Sequence, residues 1–121
     1  MILVVDDDPT FLEEARVRLD PGNGVFLASG AEQANSLLSA VGVTFSLAVV
    51  DLDMRGQNGF DLIVEWHRRY PNLPIVAMSG VYQRDVLESA KVMGAVDVLQ
   101  KPIDSEWLPV IRRAREKDTH N

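Results

Sequence analysis

The chain has 121 residues, of which 46% are hydrophobic and 25% are charged, a composition typical of one globular domain that can bury a full core. Its 12 basic and 18 acidic residues give a net charge of -6, which argues against direct binding of this domain to nucleic-acid phosphates. The sequence contains no cysteine, which excludes disulfides and thiolate metal sites.

The N-terminal segment MILVVDDD has no basic leader, and its apolar run ends after five residues. Such a run is too short for the core of a signal peptide or for a membrane span. We therefore expect a soluble, cytoplasmic protein that does not bind membranes.

Short apolar runs recur along the chain, and longer amphipathic stretches separate them. The runs are brief and mostly apolar throughout, as is typical of buried parallel strands. The predicted strands are 2–5, 25–28 (after a turn at 21–24), 47–50, 75–78 and 96–99.

The stretches between the strands carry apolar residues at the three- and four-residue spacing of amphipathic helices. Asp8 and Pro9 fit the N-cap and first position of the first helix, and Gly94 fits the end of the fourth. The predicted helical faces are Phe11, Leu12, Ala15 and Leu19; Ala34, Leu37, Leu38 and Val41; Phe60, Ile63, Trp66 or His67, and Tyr70; Val86, Ala90 and Met93; and Trp107, Ile111 and Ala114. This alternation predicts an α/β fold, a doubly wound parallel sheet of (βα)5 units.

Polar side chains stand just beyond the ends of the first, third, fourth and fifth predicted strands. In a flavodoxin-like sheet with strand order 2-1-3-4-5, the order reverses between strands 1 and 3, and ligands bind at that point beyond the carboxyl ends of the strands. This order would place Asp6, Asp7 and Asp51 in one cleft, with Ser79 and Lys101 on its other side.

Carboxylates gathered in one cleft repel each other, and a divalent cation and an ammonium group relieve that repulsion. Oxygen ligands of this kind suit Mg2+ (or Mn2+), which is commonly held by carboxylates together with a phosphate. Lys101 and Ser79 can stabilise phosphoryl oxygens, and the central Asp51 is the candidate nucleophile. Taken alone, the triplet 6–8 fits a solvated acidic loop better than a site, so the joint placement with Asp51 and Lys101 carries the prediction.

Over essentially its whole length the chain resembles a response-regulator receiver domain of two-component signalling. Each matching segment is weak alone, but all four occur in order and at compatible spacing. The segments are ILVVDDDP at 2–9, VVDLDMRGQNGFDLI at 49–63, PIVAMSG at 74–80 and GAVDVLQKPI at 94–103.

The resemblance implies that Asp51 accepts a phosphoryl group from a phosphohistidine of a sensor histidine kinase or a histidine phosphotransfer protein. It also implies that Asp6 and Asp7 hold Mg2+ together with Asp51, and that Asp53 contributes its backbone carbonyl to the metal. Such a domain catalyses only its own phosphorylation and dephosphorylation, and it is not a conventional enzyme.

On the same resemblance, Ser79 would turn toward the phosphate and Lys101 would pair with it, with a cis peptide bond between Lys101 and Pro102. The phosphate would then reshape the face formed by the fourth helix, the fifth strand and the fifth helix. An output domain or target protein, which the sequence does not identify, would bind or leave this face.

The sequence departs from the family pattern at three positions. Arg55 stands where proline is usual, and Gly80 stands where alanine is usual. Val98 occupies the position at which many members carry the Tyr or Phe that moves inward on activation. Tyr82, nearby in the sequence, is a candidate replacement for that aromatic residue.

Two other functions stay open at this point. The domain would act as an interaction module if it were never phosphorylated, and the segment VVDLDM also resembles the DxD motif of haloacid-dehalogenase-type phosphatases. Residues 1–117 are expected to form the receiver domain, and 118–121 a polar tail or the start of a linker. The sequence fits both a single-domain regulator and a piece of a larger protein.

Overall fold

The computed structural model describes residues 1–19 and 24–116. Its strands are β1 (Ile2–Val5), β2 (Val25–Ala28), β3 (Leu47–Asp51), β4 (Ile75–Ser79) and β5 (Asp97–Gln100). Its helices are α1 (Pro9–Leu19), α2 (Ala31–Leu38), α3 (Gly59–Arg69), α4 (Arg84–Glu88), α5 (Ala90–Met93) and α6 (Trp107–Glu116). The predicted turn at 21–24 lies partly outside the described residues, and the predicted tail at 118–121 lies wholly outside them.

All five strands are parallel and follow the order β2-β1-β3-β4-β5, which confirms the predicted flavodoxin-like fold. Alternate residues of each strand point to opposite faces of the sheet, so the sheet separates two apolar cores. One core lies under α1 and α6, and the other lies under α2, α3, α4 and α5. Because β1, β3 and β4 are covered on both faces, they are buried throughout, which explains their uninterrupted apolar sequences.

The first and last helices bury the faces that the sequence predicts. The pattern on α1 is confirmed at all four positions, and that on α6 at all three. At the start of α1, the carboxylate of Asp8 accepts a hydrogen bond of 2.9 Å from the backbone N–H of Thr10, as expected of an N-cap. Within the parts of the chain that the structure describes, no helix has both the length and the apolar composition needed to cross a bilayer.

The predicted faces of the middle helices are partly wrong. α2 ends at Leu38, so Val41 lies beyond the helix and is fully exposed. The fourth predicted helix consists of two short helices, α4 and α5, separated by Ser89. Leu87 and Ala90 are its buried residues, whereas Val86 and Met93 are about two-fifths exposed. Two apolar registers overlap in this segment, and only packing against the sheet decides which of them faces inward.

On α3, Ile63 and Trp66 are buried as predicted, while His67 is exposed. Leu62 is a further buried residue that the predicted face did not include. Phe60 and Tyr70 are partly buried and pack against the same core. The indole N–H of Trp66 donates a hydrogen bond of 2.8 Å to the side-chain oxygen of Asn35 on α2, so this large ring buries its apolar surface without losing its polar partner.

Candidate functional site

The five side chains predicted from the strand ends lie together at the carboxyl edge of the sheet. Asp6 and Asp7 directly follow β1, Asp51 ends β3, Ser79 ends β4 and Lys101 follows β5. Because β1 and β3 are neighbours at the point where the strand order reverses, the aspartates after β1 come close to the aspartate that ends β3.

Two buried carboxylates and one partly buried ammonium group form the charged centre of the site. Asp6 and Asp51 are 0% and 2% exposed. The Nζ of Lys101 donates a hydrogen bond of 2.5 Å to Oδ2 of Asp6, and it lies 3.4 Å from Oδ1 of Asp51. The same Nζ lies 4.3 Å from the centre of the Phe11 ring, so an ion pair and a cation–π contact together fix the position of the lysine.

These surroundings shift the pKa values of both Asp51 and Lys101. Burial, followed by the negative charge of Asp6, raises the pKa of Asp51 from 3.8 to about 6, and the nearby Lys101 only partly opposes this shift. For Lys101, burial disfavours the charged form, but the hydrogen bond to Asp6 and the charges of both aspartates outweigh burial and raise its pKa. At neutral pH the lysine is therefore charged, and Asp51 is ionised for the larger part.

Three carboxylates of the site suit a metal ion. One oxygen from each of Asp6, Asp7 and Asp51 lies within 4.8 Å of the others. Oδ1 of Asp51 is buried and accepts no hydrogen bond from any residue that the structure describes, so it retains a lone pair for a cation. Asp7 is more exposed and accepts a hydrogen bond of 2.9 Å from the backbone N–H of Arg55. An all-oxygen set of this kind fits a hard divalent cation.

Ser79 is hydrogen-bonded to the side chain of Asp53, which lies in the loop after β3. Its hydroxyl donates a hydrogen bond of 2.7 Å to Oδ2 of Asp53. The hydroxyl oxygen of Ser79 also accepts hydrogen bonds from the backbone N–H groups of Val81 at 3.1 Å and Tyr82 at 3.0 Å. The resemblance implied a metal-binding role for the backbone carbonyl of Asp53, and nothing in the sequence indicated this contact of its side chain. The contact of its side chain joins residues 26 positions apart, and it arises because β3 and β4 are neighbours in the sheet.

Gly59 allows α3 to begin against the end of β3. A Cβ atom at Gly59 would lie 2.6 Å from both the carbonyl oxygen of Asp51 and the Cα of Leu52, closer than non-bonded atoms approach. The side chain of Asn58 accepts a hydrogen bond of 2.9 Å from the backbone N–H of Phe60 and caps the helix. This close contact between helix and strand end holds the backbone of Asp51 in place.

The departures from the family pattern have different structural settings. Val98 is 1% exposed on β5 and belongs to the core beneath α4 and α5. The Tyr82 ring is partly buried and packs on Phe60 with ring centres 5.9 Å apart. At Gly80 a Cβ would meet only the Lys101 side chain, at 3.4 Å, so the backbone there has room for alanine. Arg55 is exposed, with its Nε 4.0 Å from the carboxylate of Asp7.

Two residues at the site went unnoticed in the sequence. Phe11 lies beneath Lys101, but in the sequence it is only one more apolar residue of an amphipathic helix. Gln57 accepts a hydrogen bond of 2.9 Å at Oε1 from the backbone N–H of Ala31 and thereby links the loop after β3 to the start of α2. No feature of the sequence distinguishes either residue, because each contact depends on how the helices pack around the sheet.

Comparison with known proteins agrees with this architecture. The family model of the response regulator receiver domain matches residues 2–111. The alginate biosynthesis transcriptional regulatory protein AlgB of Pseudomonas aeruginosa is 34% identical over 108 residues, which are 88% of this chain and 24% of that protein. The transcriptional regulatory protein FixJ of Bradyrhizobium diazoefficiens is 32% identical over 109 residues, which are 88% of this chain and 52% of that protein.

Solved structures show the same fold. The signal receiver domain of an HD domain-containing protein from Pseudomonas fluorescens superposes with a TM-score of 0.88 at 25% identity, covering 99% of this chain and 97% of that one. The receiver domain of NtrX from Brucella abortus gives a TM-score of 0.83 at 29% identity, covering 96% and 98%. The chain thus spans about a quarter of the length of AlgB and about half that of FixJ, but nearly all of these solved receiver domains. It belongs to the response-regulator receiver domain family of two-component signalling, whose members are regulatory domains and not conventional enzymes.

Proposed function

We propose that this domain is a phosphorylation-dependent switch in which Asp51 accepts a phosphoryl group. The observation that carries the proposal is the buried Asp51 carboxylate, which lies beside Asp6 and Asp7 and within 3.4 Å of the Lys101 ammonium. Membership of the receiver family supports a phosphohistidine donor, on a sensor histidine kinase or a histidine phosphotransfer protein.

In the transfer step, a carboxylate oxygen of Asp51 attacks phosphorus and forms an acyl phosphate. The bond between phosphorus and the donor imidazole nitrogen breaks, and its electron pair stays on that nitrogen. Lys101 pairs with the phosphoryl oxygens and stabilises the charge that they carry. Mg2+, when held by Asp6, Asp7, Asp51 and the backbone carbonyl of Asp53, supplies further positive charge to these oxygens.

The readout begins at Ser79, whose hydroxyl turns to the phosphoryl group on Asp51. This movement changes the face formed by α4, α5, β5 and α6, which binds or releases an output domain or a target protein. A switch from 1:99 to 99:1 requires about 5.5 kcal/mol of preference for one state, and charge-assisted bonds from Ser79 and Lys101 contribute to it. The names of AlgB and FixJ as transcriptional regulators support an output of this kind in the whole protein. We propose that residues 1–117 form the receiver domain, that 118–121 are a polar tail or the start of a linker, and that the protein lies in the cytoplasm.

The proposal is tested by intact mass spectrometry after incubation with Mg2+ and acetyl phosphate. We expect one added phosphoryl group on the wild type, and none without Mg2+ or in the Asp51→Ala variant. Asp61→Asn, which changes an exposed carboxylate on α3, serves as the matched control and is expected to gain the group. An adduct that persists in Asp51→Ala would place the acceptor elsewhere.

Two other outcomes would favour the remaining functions. If neither acetyl phosphate nor Mg2+ with beryllofluoride, a mimic of the phosphoryl group, bound to the folded protein, the domain would be an interaction module that is not phosphorylated. If the protein released phosphate steadily from small phosphomonoesters, it would be a phosphatase of the haloacid-dehalogenase type. Beryllofluoride binding without a detectable adduct would indicate a phosphoryl group with a short lifetime.

A further inference from the structure

The hydroxyl group of Ser79 has all its hydrogen-bonding capacity in use. A serine hydroxyl has one proton to donate and two lone pairs that accept. Ser79 donates its proton to Oδ2 of Asp53, and it accepts from the backbone N–H groups of Val81 and Tyr82. Because Ser79 is 0% exposed, its oxygen makes these bonds out of contact with bulk solvent.

The single proton of Ser79 can make only one strong, near-linear hydrogen bond at a time. If a phosphoryl group on Asp51 receives this proton, the bond to Asp53 must break. We propose that the Asp53 carboxylate is a positioning residue that holds the Ser79 hydroxyl before phosphoryl transfer and competes for it with the phosphoryl group on Asp51. This inference rests on the proposed function and adds a regulatory role for the side chain of Asp53.

The chemistry of the acceptor makes this competition strong. A carboxylate accepts a charge-assisted hydrogen bond, which is roughly twice as strong as a neutral one, and the observed 2.7 Å separation is in the normal range for such a bond. A neutral acceptor at position 53 would hold the serine less firmly. The identity of this side chain therefore sets how easily Ser79 is transferred to the phosphoryl group.

Movement of the Ser79 hydroxyl from Asp53 to the phosphoryl group also affects residues outside the site. The oxygen that binds Asp53 accepts from the amides of Val81 and Tyr82, so its rotation disturbs the start of the segment that leads to α4. The Tyr82 ring packs on Phe60 at the start of α3, and the Tyr82 carbonyl accepts a hydrogen bond of 3.4 Å from Gln100 of β5. Release of Ser79 by Asp53 therefore loosens a segment that contacts both neighbouring elements.

A double-mutant cycle on beryllofluoride affinity tests the competition. The four proteins are the wild type, Asp53→Ala, Ser79→Ala and the double variant, each titrated calorimetrically with beryllofluoride at saturating Mg2+. Asp53→Ala also removes a negative charge near the site, but that effect is shared by both backgrounds. The matched Ser79→Ala background therefore isolates the hydrogen bond from the electrostatics.

We expect Asp53→Ala to tighten beryllofluoride binding about tenfold more when Ser79 is present than when it is replaced, the size expected for a hydrogen bond to a charged group. Asp53→Asn, which keeps an acceptor oxygen, serves as a second variant and should give a smaller ratio. Equal changes in both backgrounds, within twofold, would overturn the role of Asp53 while leaving the proposed function intact. Failure of the folded wild type to bind beryllofluoride would instead overturn the proposed function, and this inference with it.

Discussion

The two halves of the site are built in different ways. The acidic half consists of Asp6, Asp7, Asp51 and Lys101, at or next to the ends of β1, β3 and β5. The responding half consists of Ser79 at the end of β4 with the loop residues Val81 and Tyr82. Asp6 and Asp51 are buried and paired with the lysine, whereas Val81 is 76% exposed.

This difference separates capture of the phosphoryl group from its readout. Asp6, Asp51 and Lys101 are held by burial and ion pairs, which suits groups that must meet a reacting phosphorus in a fixed geometry. Loop residues can change position at lower cost, which suits a signal. The acidic half should therefore govern the chemistry and the stability of the domain, and the responding half should govern the lifetime of the phosphoryl group.

The largest effect is expected from Lys101→Met, which removes the cation of the acidic half. Without the ammonium beside Asp51, the rate of phosphoryl uptake from acetyl phosphate should fall about 100-fold, as for the loss of one group that stabilises the charge of a transition state. The rate is measured by intact mass over time. Lys91→Met, which removes an exposed lysine on α5, is the control and should match the wild type. A rate within threefold of wild type for Lys101→Met would show that the lysine has no part in the transfer.

The next effect concerns stability and pH in the metal-free protein. The folded pKa of Asp51 is about 6, above the unfolded value of 3.8, so the folded state binds this proton more tightly. Protonated Asp51 therefore makes its full contribution to the free energy of unfolding below about pH 4, and this contribution is lost as the pH rises through 6. Asp51→Asn should be more stable than wild type by about 3 kcal/mol at pH 8, since the pKa is raised by roughly two units and each unit corresponds to about 1.4 kcal/mol.

This gain should shrink toward zero as the pH falls to 4. Urea unfolding at a series of pH values, without divalent cations, measures the difference in unfolding free energy between Asp51→Asn and wild type. Asp61→Asn, which changes an exposed carboxylate on α3, again serves as the control. A constant difference across the pH range would mean that the burial of Asp51 does not raise its pKa.

Alanine substitutions at two glycines test the comparison between the two halves of the site. Gly59→Ala would place a Cβ 2.6 Å from the carbonyl oxygen of Asp51, and we expect a loss of about 2 kcal/mol from this overpacking. Gly80→Ala would bring its Cβ only into ordinary contact with the Lys101 side chain, at 3.4 Å, and its effect should stay within about 0.5 kcal/mol. Thermal or denaturant unfolding of both variants measures these values, and equal losses would contradict the assignment of rigidity to the acidic half.

The smallest effect is expected in the responding half, from Val81→Asn. The exposed valine borders the cavity formed by Leu52, Asp53, Met54, Gly56 and Tyr82, among others. A polar amide there can hold a water near the phosphoryl group, so the acyl phosphate should decay about fivefold faster through better positioning of the attacking water. The decay is followed by mass spectrometry after removal of the phosphodonor. Val17→Asn, on the exposed side of α1, is the control, and an unchanged decay rate in Val81→Asn would remove this role.

The acidic half was largely predictable from the sequence. Asp51 follows an unbroken apolar run, and a carboxylate in that position stands at the end of a buried strand. The same reasoning applies to Asp6 after β1 and Lys101 after β5, because parallel strands bring their carboxyl ends to one edge. The cis peptide bond expected between Lys101 and Pro102 is also present, although that expectation came from the resemblance and not from the residues themselves.

The errors fell where two helical registers competed or where a contact joined distant segments. Met93 was predicted to face the core but is exposed, because α4 and α5 turn Leu87 and Ala90 inward. The ring of Phe11 beneath Lys101 and the link from Gln57 to α2 could not be anticipated. Each joins elements whose relative position depends on packing.

By itself, then, the sequence determined the order of strands and helices and the chemistry available at the strand ends, because hydrophobic periodicity and the residues that interrupt it act locally. Tertiary structure alone decided how that chemistry is tuned. The raised pKa of Asp51 requires burial next to Asp6. The hydrogen bond from Ser79 to Asp53 requires the ends of β3 and β4 to lie side by side. Both depend on distances across the sheet, which no single segment of the chain specifies.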